Sequence, residues 1–376
     1  TWSFADGVLT ISGTGAMADF GNFIDTDGTY ASKDMYERSD QYEDRKLIYY
    51  TGTTTYVSDT PWKDLGTAVK SVVISEGVTN IGSRALRLPA VTSVTIAHSV
   101  KSISDLAFDR VATLTTVIWV GDWSLAGHAP MKFDGFGNCA KLGTKEDGSI
   151  WEFSEWLPDC FTSMSGSAIN GTSFSVDFEK LDAQLTGQSD GYGNSAFQNM
   201  PNLETATLDN RFGTRAFNGS GIKNLTISSD LASIPAYTCE NCKSLTSVVI
   251  PSGVTSIGDA AFRGSGLTSL TFEGSNAITF GNQSFVAKEG AGPKLTTLTL
   301  SETMSISDGT AIVNYLTTVG AVTDATTITP SKFADALTEK LTVDGSLGAE
   351  ITRKNYPSVT ELTITGDSYT SAVSAF

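Results

Sequence analysis

Six residues have the widest chemical reach in this chain: four cysteines and two histidines. Cys239 and Cys242 form a C-x-x-C pair, a spacing used by zinc sites and by dithiol redox centres. Such a zinc site needs a second close pair or histidine ligands, and Cys139 and Cys160 lie far apart in sequence. Cys139 sits in Phe136-Gly-Asn-Cys-Ala-Lys-Leu142, and Cys242 in Tyr237-Thr-Cys-Glu-Asn-Cys-Lys-Ser-Leu245. Each precedes an apolar Leu by three residues, which favours buried thiols in a structural layer. His98 falls in a turn slot that Ser252 occupies elsewhere, and is expected in an exposed loop. A Ser-His-Asp set would need His128 to meet partners that the sequence does not identify. No glycine loop ends in Gly-Lys-Ser/Thr to cradle phosphate. Asp25-x-Asp27-Gly28 resembles part of a calcium loop but lacks the first carboxylate and the distal Glu. The 41 carboxylates leave a glycosidase-type pair open, yet no spacing sets two of them across a cleft. The residues therefore predict no catalytic set, no metal site and no cofactor.

The elements that would have to position any site are repetitive. The reference unit runs from Leu245 to Arg263. Leu245, Val248 and Ile250 give L-x-x-V-x-I, Pro251-Ser252-Gly253 makes a turn, and Val254, Ile257 and Ala261-Phe262 follow. The pair Val248 and Ile250 has the period of a strand. One unit has too little apolar surface to fold alone, so copies must stack. Val69, Val72, Ile74, Val78, Ile81 and Ala85-Leu86 recur 22 residues later as Val91, Val94, Ile96, Val100, Ile103 and Ala107-Phe108. A third unit opens with Leu114, Val117 and Trp119. All repeats run the same way, so the sheet should be mostly parallel. Phe108 and Phe262 should be buried equivalents.

Ahead of the repeats, Asp6-Gly7 signals a two-residue hairpin that pairs Ala5 with Val8, Phe4 with Leu9 and Trp2 with Ile11. This hairpin reads as a cap on the open end of the stack. Residues 21–60 interrupt the pattern and hold six of the eleven tyrosines. From Gly121 to Asn199 only fragments of the repeat survive, with Trp123, Trp151 and Trp156 among them. Register returns at Leu203, Ala206 and Leu208, and runs through Ile222, Leu245 and Leu267 to Leu295, Leu298 and Leu300. Ser331 to Leu341 fits a short helix, and Val359, Leu362 and Ile364 a last strand.

The phrases Val-Thr-Ser-Ile-Gly-Asp-Ala-Ala-Phe (254–262) and Asn-Cys-Lys-Ser-Leu-Thr-Ser-Val-Val-Ile-Pro (241–251) resemble the BspA-like, treponemal-type leucine-rich repeats of bacterial surface proteins. Leu9-Thr-Ile-Ser-Gly-Thr-Gly-Ala-Met17 with Pro61-Trp62 is similar to the N-terminal end of such proteins. The likeness covers roughly two-thirds of the chain. It implies a repeat solenoid with a mostly parallel sheet on one face and short turns, 3-10 and helical arms on the other, closed by the N-terminal β-hairpin cap. It also implies an exported protein with roles in adhesion or host interaction, and no cofactor. The expected division is a cap with its tyrosine-rich insertion at 1–62, the solenoid at 63–300 with its irregular section at 121–199, and irregular C-terminal repeats or a cap at 301–376. Gly77, Ser99 and Gly253 stand in the slot that carries Asn or Cys in better-known leucine-rich repeats, so no continuous Asn ladder is expected.

Charge narrows the partners. The chain carries a formal −16 at neutral pH, with a pI near 4.5. Phosphate backbones and anionic membrane surfaces are repelled by it, so nucleic acid is not an expected partner. No apolar run reaches the length of a membrane span. The chain opens at Thr1-Trp2 without a leader, which says nothing about export. The outward strand positions, among them Ser71, Thr95, Thr205, Thr226 and Thr271, are small and hydroxylated. That favours a soluble strand face over a recognition surface, because recognition surfaces are enriched in aromatics. Binding is therefore expected on the excursions, through Trp123, Tyr36, Tyr42 and Tyr49. Trp123, directly after Gly121-Asp122, is expected to present an exposed ring, whereas Trp151 and Trp156 are expected to fill the core. The function expected is a non-catalytic extracellular or cell-surface scaffold for a protein or host-surface ligand. Carbohydrate binding is the alternative, and a carboxylate-dependent hydrolase the remote one.

Overall fold

Alternating Val-x-Ile segments put both apolar residues on one face of a strand, and the turn after each returns the chain to start the next copy. The computed structural model describes residues 1–20, 60–189, 191–286, 294–323, 325–330 and 332–333, with the backbone of short strands at 23–24, 30–31, 340–344 and 361–365. Two units divide the chain, Thr1–Ser189 and Asp190–Phe376.

In the first unit β1 (Trp2–Ala5) and β2 (Val8–Ile11) are antiparallel, in the register read from the sequence. Asp6 and Gly7 both have positive φ, 49° and 81°, as a type I′ turn requires. β2 then pairs in parallel with β3 (Ser71–Ile74), β3 with β4 (Ser93–Ala97), and β4 with β5 (Thr116–Val120). The hairpin is thus the first rung of the repeat sheet. Trp62 locks it: the buried indole N–H donates to the Ala85 carbonyl at 3.0 Å, and its ring meets Trp2 and Phe20 edge-on.

The second unit repeats the plan. β6 (Thr205–Leu208) pairs in parallel with β7 (Asn224–Ile227). A parallel ladder joins β8 (Ser247–Ile250), β9 (Ser269–Phe272), β10 (Thr297–Thr299) and β11 (Thr327–Thr329). In both units a smaller parallel ladder follows the first turn. It is built from Gly15–Ala16, Val78–Ile81 and Ser102–Ile103 in one, and from Ser233–Ile234, Ser256–Ile257 and Thr279–Phe280 in the other.

The arms are mostly turns, with three α-helices among the described residues: α1 (Phe153–Trp156), α2 (Phe178–Gln184) and α3 (Ile306–Thr318). Each regular arm turns on a left-handed residue two positions before its buried arm residue, a Phe in most copies and Leu86 or Cys239 in the others. Arg84, Leu106, Ser195, Arg215, Tyr237, Ala260 and Gln283 all have φ between 50° and 59°. This turn aims main-chain N–H groups at the next copy. Phe197 donates to Ala216, Phe217 to Thr238, Cys239 to Ala261 and Phe262 to Ser284, at 2.7–3.0 Å. Phe108 and Phe262 are fully buried and stack on Phe136 and Phe285, as the repeat frame requires.

In several copies the residue after the arm Phe, or after Cys239, carries a second, polar link. Asp109 accepts from Arg87 at 2.8 Å and from Asn138 at 2.9 Å. In the second unit Glu240 is bound by Asn218 and Arg263.

Two expectations for the C-terminal part change. α3 was not anticipated. It is capped by Ser305, which accepts from the Asp308 N–H at 3.1 Å, and it packs Tyr315 on Phe280 at 4.1 Å. The helix expected over 331–341 is not formed at its end, where Lys340 and Leu341 belong to the strand Lys340–Asp344. Residues 334–339 lie outside the described residues. The physical reason is that Leu341 and Val343 continue a period of two, which pairs in parallel with Glu361–Thr365, the strand expected around Leu362 and Ile364.

Candidate functional site

The regular frame of the first unit ends at β5. Among the described residues β5 hydrogen-bonds to β4 and to no other strand. Trp119 stands where Ile74 and Ile96 stand in the preceding strands. Those isoleucines are 1% and 0% exposed, whereas Trp119 is half-buried. The Trp119 indole nitrogen is itself buried and has no hydrogen-bond partner among the described residues.

Gly121 turns the chain away from the sheet with φ 102°, and a Cβ there would lie 2.6 Å from the His98 Cβ. Asp122 then accepts from the Ser124 N–H at 3.0 Å. These hydrogen bonds from Ser124 hold its carboxyl below the usual range. The turn sends Trp123 inward. Its ring is 5% exposed, so the expectation of an exposed platform is corrected. The indole N–H donates to the Val120 carbonyl at 3.1 Å. The ring lies 4.9 Å from Trp119 and stacks on His128 at 4.9 Å and 7°. Trp123 thus fills part of the space beneath Trp119.

The two histidines belong to the same cluster, their rings 5.1 Å apart edge to face. His98, expected in an open loop, is half-buried, with Nε2 2.9 Å from the Gly127 carbonyl. His128 is buried, with Nδ1 2.8 Å from the Ala129 carbonyl and Nε2 2.9 Å from that of Val100. These ring nitrogens face main-chain oxygens, not a serine hydroxyl or a carboxylate, so the geometry does not build a Ser-His-Asp set.

The cluster continues through Trp156, half-buried and packed on Trp119 at 5.9 Å and on Phe174 at 4.9 Å. Trp151 differs from its expected core role. Its ring is 36% exposed, with the Lys145 ammonium 4.2 Å from its centroid. Its main chain continues the short hairpin in which Thr144 bridges Ile150, with the Trp151 N–H donating to the Gly143 carbonyl at 2.7 Å and the Ser175 N–H donating to the Trp151 carbonyl at 3.1 Å. Tyr36, Tyr42, Tyr49, Asp25 and Asp27 lie outside the described residues.

Ile118 and Val120 on the outward face of β5 are each 48% exposed, and Leu125 is 55% exposed. The sequence placed Ile118 outward. Leu125 carried no signal, because an apolar residue in an irregular stretch has no period to assign its face.

All four cysteines are free and buried. Burial pushes the Cys139 and Cys160 thiols up to about 12, and Cys239 well above its usual range. These three thiols, so disfavoured as thiolates, are poor nucleophiles and poor metal ligands, whereas the hydrogen bond from Cys239 lowers the Cys242 thiol. Cys139 and Cys242 instead occupy equivalent arm slots, their Sγ atoms donating to the Phe108 and Phe217 carbonyls at 3.2 and 3.0 Å. Among the described residues no group of three or more His, Cys, Asp or Glu could hold a metal ion. Nor is any helix among them long and apolar enough to cross a membrane.

Parallel Val-x-Ile strands, one per repeat, joined by hydrogen-bonded arms around a core of Leu, Ile and Phe, define a leucine-rich-repeat fold. The BspA type leucine-rich repeat region matches the sequence in six copies, over residues 63–124 and 169–291. Just under half of the chain thus carries BspA-type leucine-rich repeats. Similar solved structures include a leucine-rich repeat protein from Bacteroides ovatus, 17% identical over 70% of this chain and 72% of that one, with a TM-score of 0.39. A second, from Eubacterium ventriosum, is 17% identical over 80% and 86%, with a TM-score of 0.31. A leucine rich cell surface protein from Faecalibacterium prausnitzii is 14% identical over 80% and 74%, with a TM-score of 0.30. No curated protein matches the chain.

Proposed function

We propose that the chain is a non-catalytic scaffold that binds a protein ligand at a bacterial or host cell surface. The observation that supports this reading most is where large apolar side chains meet solvent. Among the described residues, four of the six such side chains, Ile118, Val120, Leu125 and Trp151, lie on β5 or in the irregular section that follows it. Apolar side chains held exposed by a rigid sheet and its flanking turn offer contact area at little entropic cost. The regular outward face is mostly Ser, Thr and Asn and, among the described residues, exposes one large apolar side chain, Val249. BspA-like repeats, which the chain carries, imply the cell-surface setting.

Purified, fluorescently labelled protein is incubated with cultured epithelial cells before and after protease treatment of the cells. Protease-sensitive binding that Leu125→Lys reduces, and that the double variant Thr226→Lys, Thr271→Lys leaves intact, is the expected result. Binding lost only in the double variant would move the site to the regular face. Trp151 favours a second reading, since an exposed indole is a platform on which a sugar ring can stack. Protease-resistant binding with signals on a glycan array that vanish in Trp151→Ala would establish that reading instead.

A further inference from the structure

In a parallel ladder, alternate residues turn their N–H and C=O groups toward each neighbouring strand. Thr116 faces β4, its N–H 3.2 Å from the Thr92 carbonyl. Val117 and Trp119 therefore point their main-chain groups the other way, where no strand pairs among the described residues. The burial pattern points the same way. Val72 and Val94 are 1% and 0% exposed where Val117 is 8%, and Trp119 is half-buried where Ile74 and Ile96 are sealed.

Proteins blunt such an edge with proline, lysine or a bulge. The five residues Thr116-Val-Ile-Trp-Val120 contain no proline or lysine, and their register with β4 runs without a shift. We propose that the open edge of β5 accepts an extended, neutral or basic segment of a partner polypeptide as an added strand. The proposal rests on the protein-binding reading above and names the chemistry of the partner. Hydrogen-bonding groups at a sheet edge select an extended main chain. The flanking Ile118 and Val120 select β-branched or apolar side chains on the outward face. Charge selects the source: two copies of this chain, each at −16, repel one another, which a neutral or basic segment escapes.

The probe is a synthetic peptide of Thr92-Ser-Val-Thr-Ile-Ala-His98 between two added lysines, which copies the strand already paired with β5. Its control carries N-methyl groups on the alternate amides that would face β5. Hydrogen exchange at residues 116–120 is read with each peptide, and affinity by calorimetry. The plain peptide should slow exchange at Val117 and Trp119, and N-methylation should weaken binding by about tenfold or more, one lost hydrogen bond being worth roughly that factor. The double variant Ile118→Lys, Val120→Lys should also weaken binding while keeping its melting curve. Equal binding of both peptides, no added protection at Val117 and Trp119, or protection of those two amides in the free chain overturns the proposal. So does sedimentation as a dimer that protects the same amides, which would make a second copy the occupant. If cell-surface binding persists in the Ile118→Lys, Val120→Lys variant while the peptide fails to bind, the scaffold reading stands and the edge assignment falls.

Discussion

Arg263 reaches back one repeat to Glu240: its Nε donates to the carboxylate at 2.8 Å, and Glu240 is only 6% exposed. Asn218, one repeat further back, donates to the other oxygen at 2.6 Å. The carboxylate thus joins three successive copies. Removing one partner of a buried pair leaves a charge with neither water nor counter-charge, at about 3–5 kcal/mol. Arg263→Ala, which leaves the Glu240 carboxylate buried with Asn218 alone, is expected to destabilise the second unit by up to that amount in denaturant melts, and Glu240→Ala by less, because Arg263 keeps Gln283 and some solvent. Because both single changes break the same pair, the double variant Glu240→Ala, Arg263→Ala should cost less than the sum of the two.

Phe108 and Phe262 stack on the Phe of the following arm, with centroids 4.6 and 5.2 Å apart. Truncating either to Ala empties a sealed slot and should cost about 3–5 kcal/mol. Urea melts showing no loss for Phe262→Ala would reject the repeat frame.

Ser195 holds a left-handed φ of 58°, a conformation about 1–2 kcal/mol unfavourable for a residue with a Cβ. Ser195→Gly removes that strain, offset in part by the extra freedom glycine has in the unfolded chain. A net gain of about 0.5–1 kcal/mol is expected in chemical denaturation. Gly264, at φ 65°, gives the reverse: a Cβ there would sit 2.8 Å from the Asn241 Oδ1, so Gly264→Val should destabilise.

Burial raises the Asp134 carboxyl above its usual range, against the Gly135 N–H that donates to it at 2.7 Å. The folded chain therefore holds this proton more tightly than the unfolded chain does. The resulting cost is absent below the unfolded carboxylate range, grows as pH rises, and is complete above the folded value. Asp134→Asn keeps an acceptor for Gly135 and removes the charge. Stability should rise in the variant at neutral pH, and the two proteins should converge as the pH falls through the carboxylate range.

The strands were readable because Val72-x-Ile74 and its copies set a period that one buried face enforces, and Ala107-Phe108 or Ala261-Phe262 marked the arm at a fixed distance. The left-handed residue two positions before each buried arm residue was not readable. Arg84, Leu106, Tyr237 and Gln283 share no side-chain type, since the slot is fixed by main-chain bonding between copies. Trp123 was misplaced because its direction is set by packing against His128 and Phe161, contacts that are not local to its sequence. Trp151 was misplaced because it continues a short hairpin and not a repeat strand. α3 was missed where its run, Ile306, Ile312, Val313 and Leu316, followed a strand in an otherwise β-rich pattern.

Two residues past the arm Phe, or past Cys239, the second unit alternates Asn199, Gly219, Asn241 and Gly264, all left-handed. The Asn199 amide oxygen lies against the position a Cβ would take on Gly219, and that of Asn241 against the one on Gly264. An amide projects from one copy into the vacancy of the next, so neighbours are complementary and not interchangeable. Excising one repeat would set amide against amide or leave vacancy against vacancy, whereas excising an adjacent pair would restore the match at the seam. The heritable and engineerable module of this region is a duplex of repeats, twice the length that the apolar period displays.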